Sequence, residues 1–154
     1  MSQRTEKPVR IPPRWFVRFA WVVHRLLYRL TGGHVGTWRP KGTRWGALRL
    51  TTTGRRTGRE RSVIIAYLED GPNLVGLAMN GWSEGEPAWW LNLRAHPEAT
   101  VELPGEPRPR PVRAREATGD ERTRLWSRWR TLNPDLDAYA ALRTGPTAVV
   151  VLEP

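Results

Sequence analysis

The sequence predicts an α+β fold of about six short, mostly antiparallel strands with peripheral helices and one amphipathic helix near the N-terminus. Three observations lead there. Threonine-rich and aliphatic runs between residues 46 and 79 are separated by tight Gly-containing turns, the pattern of a β-meander. The run Thr147 to Leu152 is apolar enough for a buried final strand. Between them, Leu125, Trp129 and Leu132 recur on one helical face. A chain of 154 residues holds one domain with a full core and is too short for two ordinary ones.

Taken in order, residues 1–11 are polar and basic without apolar periodicity and read as a flexible tail ahead of a single domain over residues 12–154. Pro12 and Pro13 suit the start of a helix and Gly32 and Gly33 its end, so a helix is expected over residues 13–31, regular from Arg14 to Leu30. Arg14, Arg18, Arg25 and Arg29 form one stripe, with Trp15, Phe16, Phe19, Val23, Leu26, Leu27 and Leu30 opposite. Seventeen residues with four arginines, roughly 25 Å long at 1.5 Å per residue, do not suit a membrane span. No small-residue cleavage site follows, which argues against a signal peptide. Such a helix either docks on the protein's own core or lies in a lipid interface with its arginines toward anionic headgroups.

Gly46 to Thr53 alternates as a strand, and Gly54 to Gly58 is a turn. Arg61 to Leu68 and Leu74 to Met79 follow as strands around the tight turn Glu69 to Asn73. Asn80 to Glu86 is a polar loop, and Pro87 opens a short helix that runs to about Ala95 before Pro97 stops it. Ala99 to Leu103 and Arg108 to Glu116 read as strands, the second at a sheet edge because Pro107, Pro109 and Pro111 lack amide donors. Helices are expected at Asp120 to Leu132 and Asp135 to Leu142 before the closing strand.

The absence of cysteine removes disulfides, thiolate nucleophiles and the usual structural zinc sites, and an intracellular setting is the simplest expectation. His24, His34 and His96 are not at metal-ligand spacing, so no metal is expected. Ser62, Ser83 and Ser127 lie outside any nucleophile elbow. The net charge is +10, but residues 1–61 hold fifteen Lys and Arg against only Glu6 and Glu60, leaving the remainder slightly acidic. Lys7 and Lys41 are the only lysines, a bias that a GC-rich genome would also produce. A basic region of this kind suits nucleic acid, yet the tryptophans are not interleaved with it as in a stacking platform, so no nucleic acid partner is expected.

Two segments can carry chemistry. In Thr53-Gly54-Arg55-Arg56-Thr57-Gly58-Arg59-Glu60-Arg61, two glycines free the backbone to turn among four arginines. That is either a solvated basic hairpin tip or an anion site built from turn amides and guanidinium forks. It is not a Walker loop, since the Gly-Lys-Ser/Thr ending is missing. In Pro87-Ala88-Trp89-Trp90-Leu91-Asn92-Leu93, Trp89 and Leu93 share a helical face while Trp90 points elsewhere. Two adjacent indoles do not easily enter one core, so one of them either covers a planar ligand near Asn92 or meets a partner surface. Any redox chemistry here would belong to a bound cofactor, with the protein supplying position and electrostatics.

These motifs resemble the deazaflavin-dependent nitroreductase and quinone reductase family, which uses coenzyme F420 on a split β-barrel. The resemblance runs from Leu48 to Gly58, through Pro87 to Leu93 and His96-Pro97, to Val149-Val150-Val151-Leu152-Glu153-Pro154. It implies that Arg55, Arg56, Thr57, Gly58, Arg59 and Arg61 hold the coenzyme's phosphate and acidic tail. Ala78, Met79 and Asn80, with Trp89, Trp90 and Asn92, would lie along the ring. The implied reaction is hydride transfer to a small hydrophobic acceptor such as a quinone or an activated nitro or enone compound. Flavin mononucleotide (FMN) or a tetrapyrrole is the alternative ligand. Monomer and homodimer are both compatible, as are the cytoplasm and the inner face of the cell membrane. The chain departs from the family pattern at Ile64, where proline is common, at Met79, where a small polar residue is, and at Asn133 and Leu136 in place of tyrosines. Tyr67 keeps the first tyrosine place and Tyr139 is left as proton donor or substrate contact. These departures count against nitroimidazole reduction in particular.

Overall fold

The first strand begins where a side chain has no room. A Cβ added at Gly46 would lie 2.6 Å from both Pro40 Cδ and the Tyr67 ring, so glycine lets the incoming loop press onto the barrel wall. The computed structural model describes residues 13–16, 18–20, 22, 23 and 36–154. The basic tail and the second half of the N-terminal helix expected from the sequence lie outside them.

Six strands follow the expected order: β1 (Gly46–Thr53), β2 (Glu60–Asp70), β3 (Asn73–Leu77), β4 (Glu98–Glu102), β5 (Arg110–Glu116) and β6 (Val149–Glu153). The helices are α1 (Ala88–Ala95), α2 (Gly119–Leu132) and α3 (Leu136–Ala141). Every pairing is antiparallel, and the order β1-β2-β3-β6-β5-β4 closes on itself through the β1–β4 ladder. Closure removes sheet edges, and this corrects the edge position expected for β5. Pro111 is tolerated because its pairing is with Thr100 of β4, whereas the β5–β6 ladder begins only at Arg113. Around Pro111 the strand therefore has one neighbour, and no donor is missed on the other side.

The barrel is split along β2. Its ladder with β1 runs from Glu60 to Tyr67, but its ladder with β3 takes in only Leu68, Glu69 and Asp70. Apolar side chains divide between the two faces of the wall. Leu48, Leu50, Tyr67, Val101, Val150 and Leu152 fill the interior, while Val75, Leu77, Val149 and Val151 turn outward under Leu125 and Trp129 of α2 and Leu136 of α3. Strand β6 is covered on both faces, which is why its sequence reads as an unbroken apolar run.

Both Trp89 and Trp90 are buried in the interior cluster with Leu93, correcting the expectation that two adjacent indoles would part company. Helix α1 plugs one end of the barrel, so its buried arc is wide enough to take in both rings along with Asn92. At the N-terminal side, residues 14–16, 18–20, 22 and 23 are helical as expected. Trp15, Phe19 and Val22 remain 70%, 62% and 62% exposed, so these three side chains are left largely uncovered by the described residues.

Candidate active site

The turn between β1 and β2 is closed by Gly54 N–H to the Arg59 carbonyl (2.8 Å) and Gly58 N–H to the Gly54 carbonyl (2.8 Å). Gly58 sits at φ +68°, and a Cβ at Gly54 would lie 3.0 Å from the Arg59 carbonyl oxygen, so both glycines are required by the bend. Four arginines are thereby gathered on a short loop. Among the described residues no carboxylate pairs with Arg55, Arg56, Arg59 or Arg61.

Asn92 joins this turn to α1. Its side-chain oxygen accepts from the Arg55 amide (3.2 Å) and from Arg55 Nη1 (3.2 Å), and its Nδ2 donates to Thr52 Oγ1 (3.2 Å). Thr52 Oγ1 in turn donates to the Arg61 carbonyl at 3.4 Å. Asn92 and Thr52 are 4% and 2% exposed, so these bonds form away from competing water and fix the pose of Arg55. Thr52 escaped the sequence reading because a threonine within a Thr-Thr-Thr strand carries no signal of what crosses to meet it.

A cleft of about 950 Å³ runs from this turn along the split side of β2. Arg55, Arg56, Thr57 and Arg61 line one end, and Trp89 and Asn92 of α1 contribute to its wall. Ser62 to Ala66 form its floor, and Leu77, Met79, Asn80 and Gly81 also line it. From Arg61 to Ala66 the strand advances about 17 Å at roughly 3.3 Å per residue, so the cleft is long enough for an extended ligand with an anionic tail. Trp38 and Trp45, 5.6 Å apart between ring centroids, and Phe16, Arg18 and Ala20 of the N-terminal helix complete the lining.

Other residues singled out from the sequence stand elsewhere. Ala78 and Trp90 are buried in the core behind the cleft, and Gly58 and Arg59 belong to the turn but not to the lining. Tyr139 is half-buried and stacks on Trp82, with centroids 5.8 Å apart and planes at 18°, and does not line the cleft. Tyr67 is wholly buried in the interior, its hydroxyl without a hydrogen-bond partner among the described residues, and burial pushes its pKa up to about 12. Ile64 and Met79, two of the departures from the family pattern, both face the cleft and make it more apolar.

A split antiparallel barrel with a cationic turn beside an apolar cleft has the shape and charge to take a planar ligand with an anionic tail. The chain belongs to the family described as F420H(2)-dependent quinone reductase, which matches residues 21–154. F420H(2)-dependent quinone reductase Rv1261c of Mycobacterium tuberculosis is 31% identical over 94 residues, 58% of this chain, and the match spans 62% of that relative's length. Rv3178 of the same organism, named to the same class, is 31% identical over 107 residues, 70% of this chain and 88% of its own. Among solved structures, an F420-H2 dependent reductase superposes with a TM-score of 0.61 at 26% identity, covering 70% of this chain and 93% of that one. A chain described as a domain-swapped dimer superposes with a TM-score of 0.65 at 26% identity, covering 92% of this chain and all (100%) of that one.

Proposed function

We propose that this chain is an F420-dependent reductase that passes a hydride to a hydrophobic, quinone-type acceptor. The observation that carries the reading is the single cleft joining unpaired arginines to Trp89 and Asn92. The donor set fits the group: Arg55, Arg56 and Arg61 offer charged forks to phosphate and carboxylate, and the glycine-closed turn lets Thr57 approach the same anion. Asn92 fixes Arg55 in place before any ligand arrives, which lowers the ordering cost of binding. Met79, Asn80 and Trp89 stand where a flat ring would lie, and the apolar floor from Val63 to Ala66 keeps water from it. When bound, the reduced coenzyme supplies the hydride, and the acceptor gains a proton from solvent to complete a two-electron reduction. Tyr139 enters this reading only through its contact with Trp82.

The test is direct titration. Fluorescence of oxidised coenzyme F420 should be quenched on adding the protein, FMN should bind at least tenfold more weakly, and menadione should oxidise the reduced coenzyme only when protein is present. Tight FMN binding with no response to coenzyme F420 would replace this reading with that of a flavin binder.

The N-terminal helix supports a finer statement about location. Trp15, Phe19 and Val22 are exposed next to Arg14 and Arg18, a combination suited to an anionic lipid interface, from which a membrane quinone could enter the cleft past Phe16. No helix among the described residues is long and apolar enough to cross a membrane. Flotation with phosphatidylglycerol vesicles should be lost in the Trp15→Ser/Phe19→Ser double variant while coenzyme binding persists.

A further inference from the structure

The loop that follows β3 is fastened from behind at both ends. Arg143, 8% exposed, reaches under it and donates from Nη1 to the Ala78 carbonyl (3.1 Å) and from Nη2 to the Gly85 carbonyl (2.8 Å). One planar guanidinium thus pins both ends of the loop, with Thr147 Oγ1 (2.8 Å from Nη1) holding the fork from the other side. Two further contacts come from the same segment. Glu84 accepts from the Thr144 amide and hydroxyl, each at 2.9 Å, and Trp82 stacks on Tyr139.

The loop so held is unusual in two respects. Trp82 sits at φ +60°, a conformation that costs a bulky side chain energy and persists only where the surroundings impose it. Arg143 itself is a buried cation without a carboxylate partner among the described residues, and its Nε has no hydrogen-bond partner among them either. An apolar side chain of similar volume would avoid that desolvation cost, so stability alone does not account for the charge. What the fork achieves is geometry, since a lysine ammonium cannot reach both carbonyls at once.

The opposite face of the loop lines the cleft through Met79, Asn80 and Gly81. We propose that Arg143 is a positioning residue: through the Ala78 and Gly85 carbonyls it sets the wall against which the electron acceptor is seated. This rests on the coenzyme reading above, and it assigns the coenzyme's tail to the arginine turn and the seating of the acceptor to the loop that Arg143 holds.

The experiment compares wild type with Arg143→Met and Arg143→Lys, using coenzyme F420 fluorescence for binding and menadione for turnover. Arg143→Met should raise the KM for menadione at least tenfold, by a factor at least three times that of any change in coenzyme Kd, with a smaller change in kcat. Arg143→Lys should recover part of the loss, because it restores one of the two carbonyl contacts. Hydrogen exchange at the amides from Gly81 to Gly85 should quicken at least tenfold in Arg143→Met and partly revert in Arg143→Lys. If Arg143→Met does not fold, Glu84→Ala releases the neighbouring fastening and should move KM and loop exchange in the same direction. Coenzyme Kd and menadione KM worsening by one common factor would overturn the proposal, as would a folded variant with both KM and exchange unchanged. A wild-type protein that binds no coenzyme F420 would instead remove the functional reading itself, and this proposal with it.

Discussion

On the outer wall built by β5 and α2, arginines meet carboxylates: Arg113 with Glu98, Arg115 with Glu121 and Glu153, and Arg124 and Arg128 with Asp70. In the turn between β1 and β2 and at the start of β2, Arg55, Arg56, Arg59 and Arg61 meet none among the described residues. The contrast shows that arginine content alone says little about binding. On the wall the charges are neutralised within the chain, which leaves little field for a ligand and adds little stability, since exposed pairs contribute up to about 1 kcal/mol. In the turn no carboxylate among the described residues compensates the charge, and Arg55 is held by Asn92, a neutral acceptor, so the attraction for an incoming anion is retained.

Four variants test that difference, from the largest expected effect to the smallest. The double variant Arg55→Ala/Arg56→Ala should weaken coenzyme binding at least a hundredfold, given about 1.5–3 kcal/mol for each charged hydrogen bond and about 1.4 kcal/mol per tenfold in affinity. Its melting temperature should stay near that of wild type. Equal affinity in titration would erase the distinction between turn and wall.

The barrel interior offers a third environment against which both sets can be judged. Tyr67 has its pKa raised from 10.0 to about 12 by burial, so the folded state holds its proton where the unfolded chain has released it. Its contribution is complete below pH 10 and is lost as pH rises toward 12. Wild type should therefore lose roughly 2–3 kcal/mol more over that range than Tyr67→Phe, measured by denaturant unfolding at each pH. Parallel curves for the two proteins would contradict the burial assigned to the phenol.

Asn92→Ala should cost about 1–3 kcal/mol of stability by stranding Thr52 and the Arg55 amide, and should lower coenzyme affinity about tenfold by freeing the Arg55 fork. A loss of stability with unchanged affinity would show that Arg55 needs no holding. Asp70→Asn should cost only about 0.5–1 kcal/mol and leave binding untouched. The hydrogen bond from Arg124 holds the Asp70 carboxyl below its usual range. That small contribution is present above the ordinary carboxylate pKa and fades as acidification passes the lowered value. A large effect on coenzyme affinity from this wall residue would break the comparison.

The strands and helices were legible because each is announced locally, by alternation, by glycine turns and by prolines at helix starts. The arginine turn and the Trp89-to-Asn92 segment were legible for the same reason, being short motifs complete in themselves. What the sequence concealed was pairing at a distance. β5 looked like an edge strand until the β1–β4 and β5–β6 ladders closed the barrel, leaving Pro111, ahead of the first β5–β6 pair at Arg113, with a single neighbour. Trp90 looked free to face a ligand because the barrel end that α1 plugs is assembled from strands on either side of it in sequence. Arg143 gave no sign at all, since the carbonyls it grips lie 65 and 58 residues away.

The path of the chain around the barrel also has a kinetic side. β1, β2 and β3 form a local hairpin series and can zip soon after collapse, which creates the arginine turn and the cleft floor early. β6 must then thread between β3 and β5, and β4 must return to β1, both across long stretches of intervening sequence. Searches of that length belong to the slow class, milliseconds to seconds. A half-built form with its floor complete and its far side open would therefore be the species most exposed to misassembly, and an anion caught early by the turn would steady it while the last strand finds its slot.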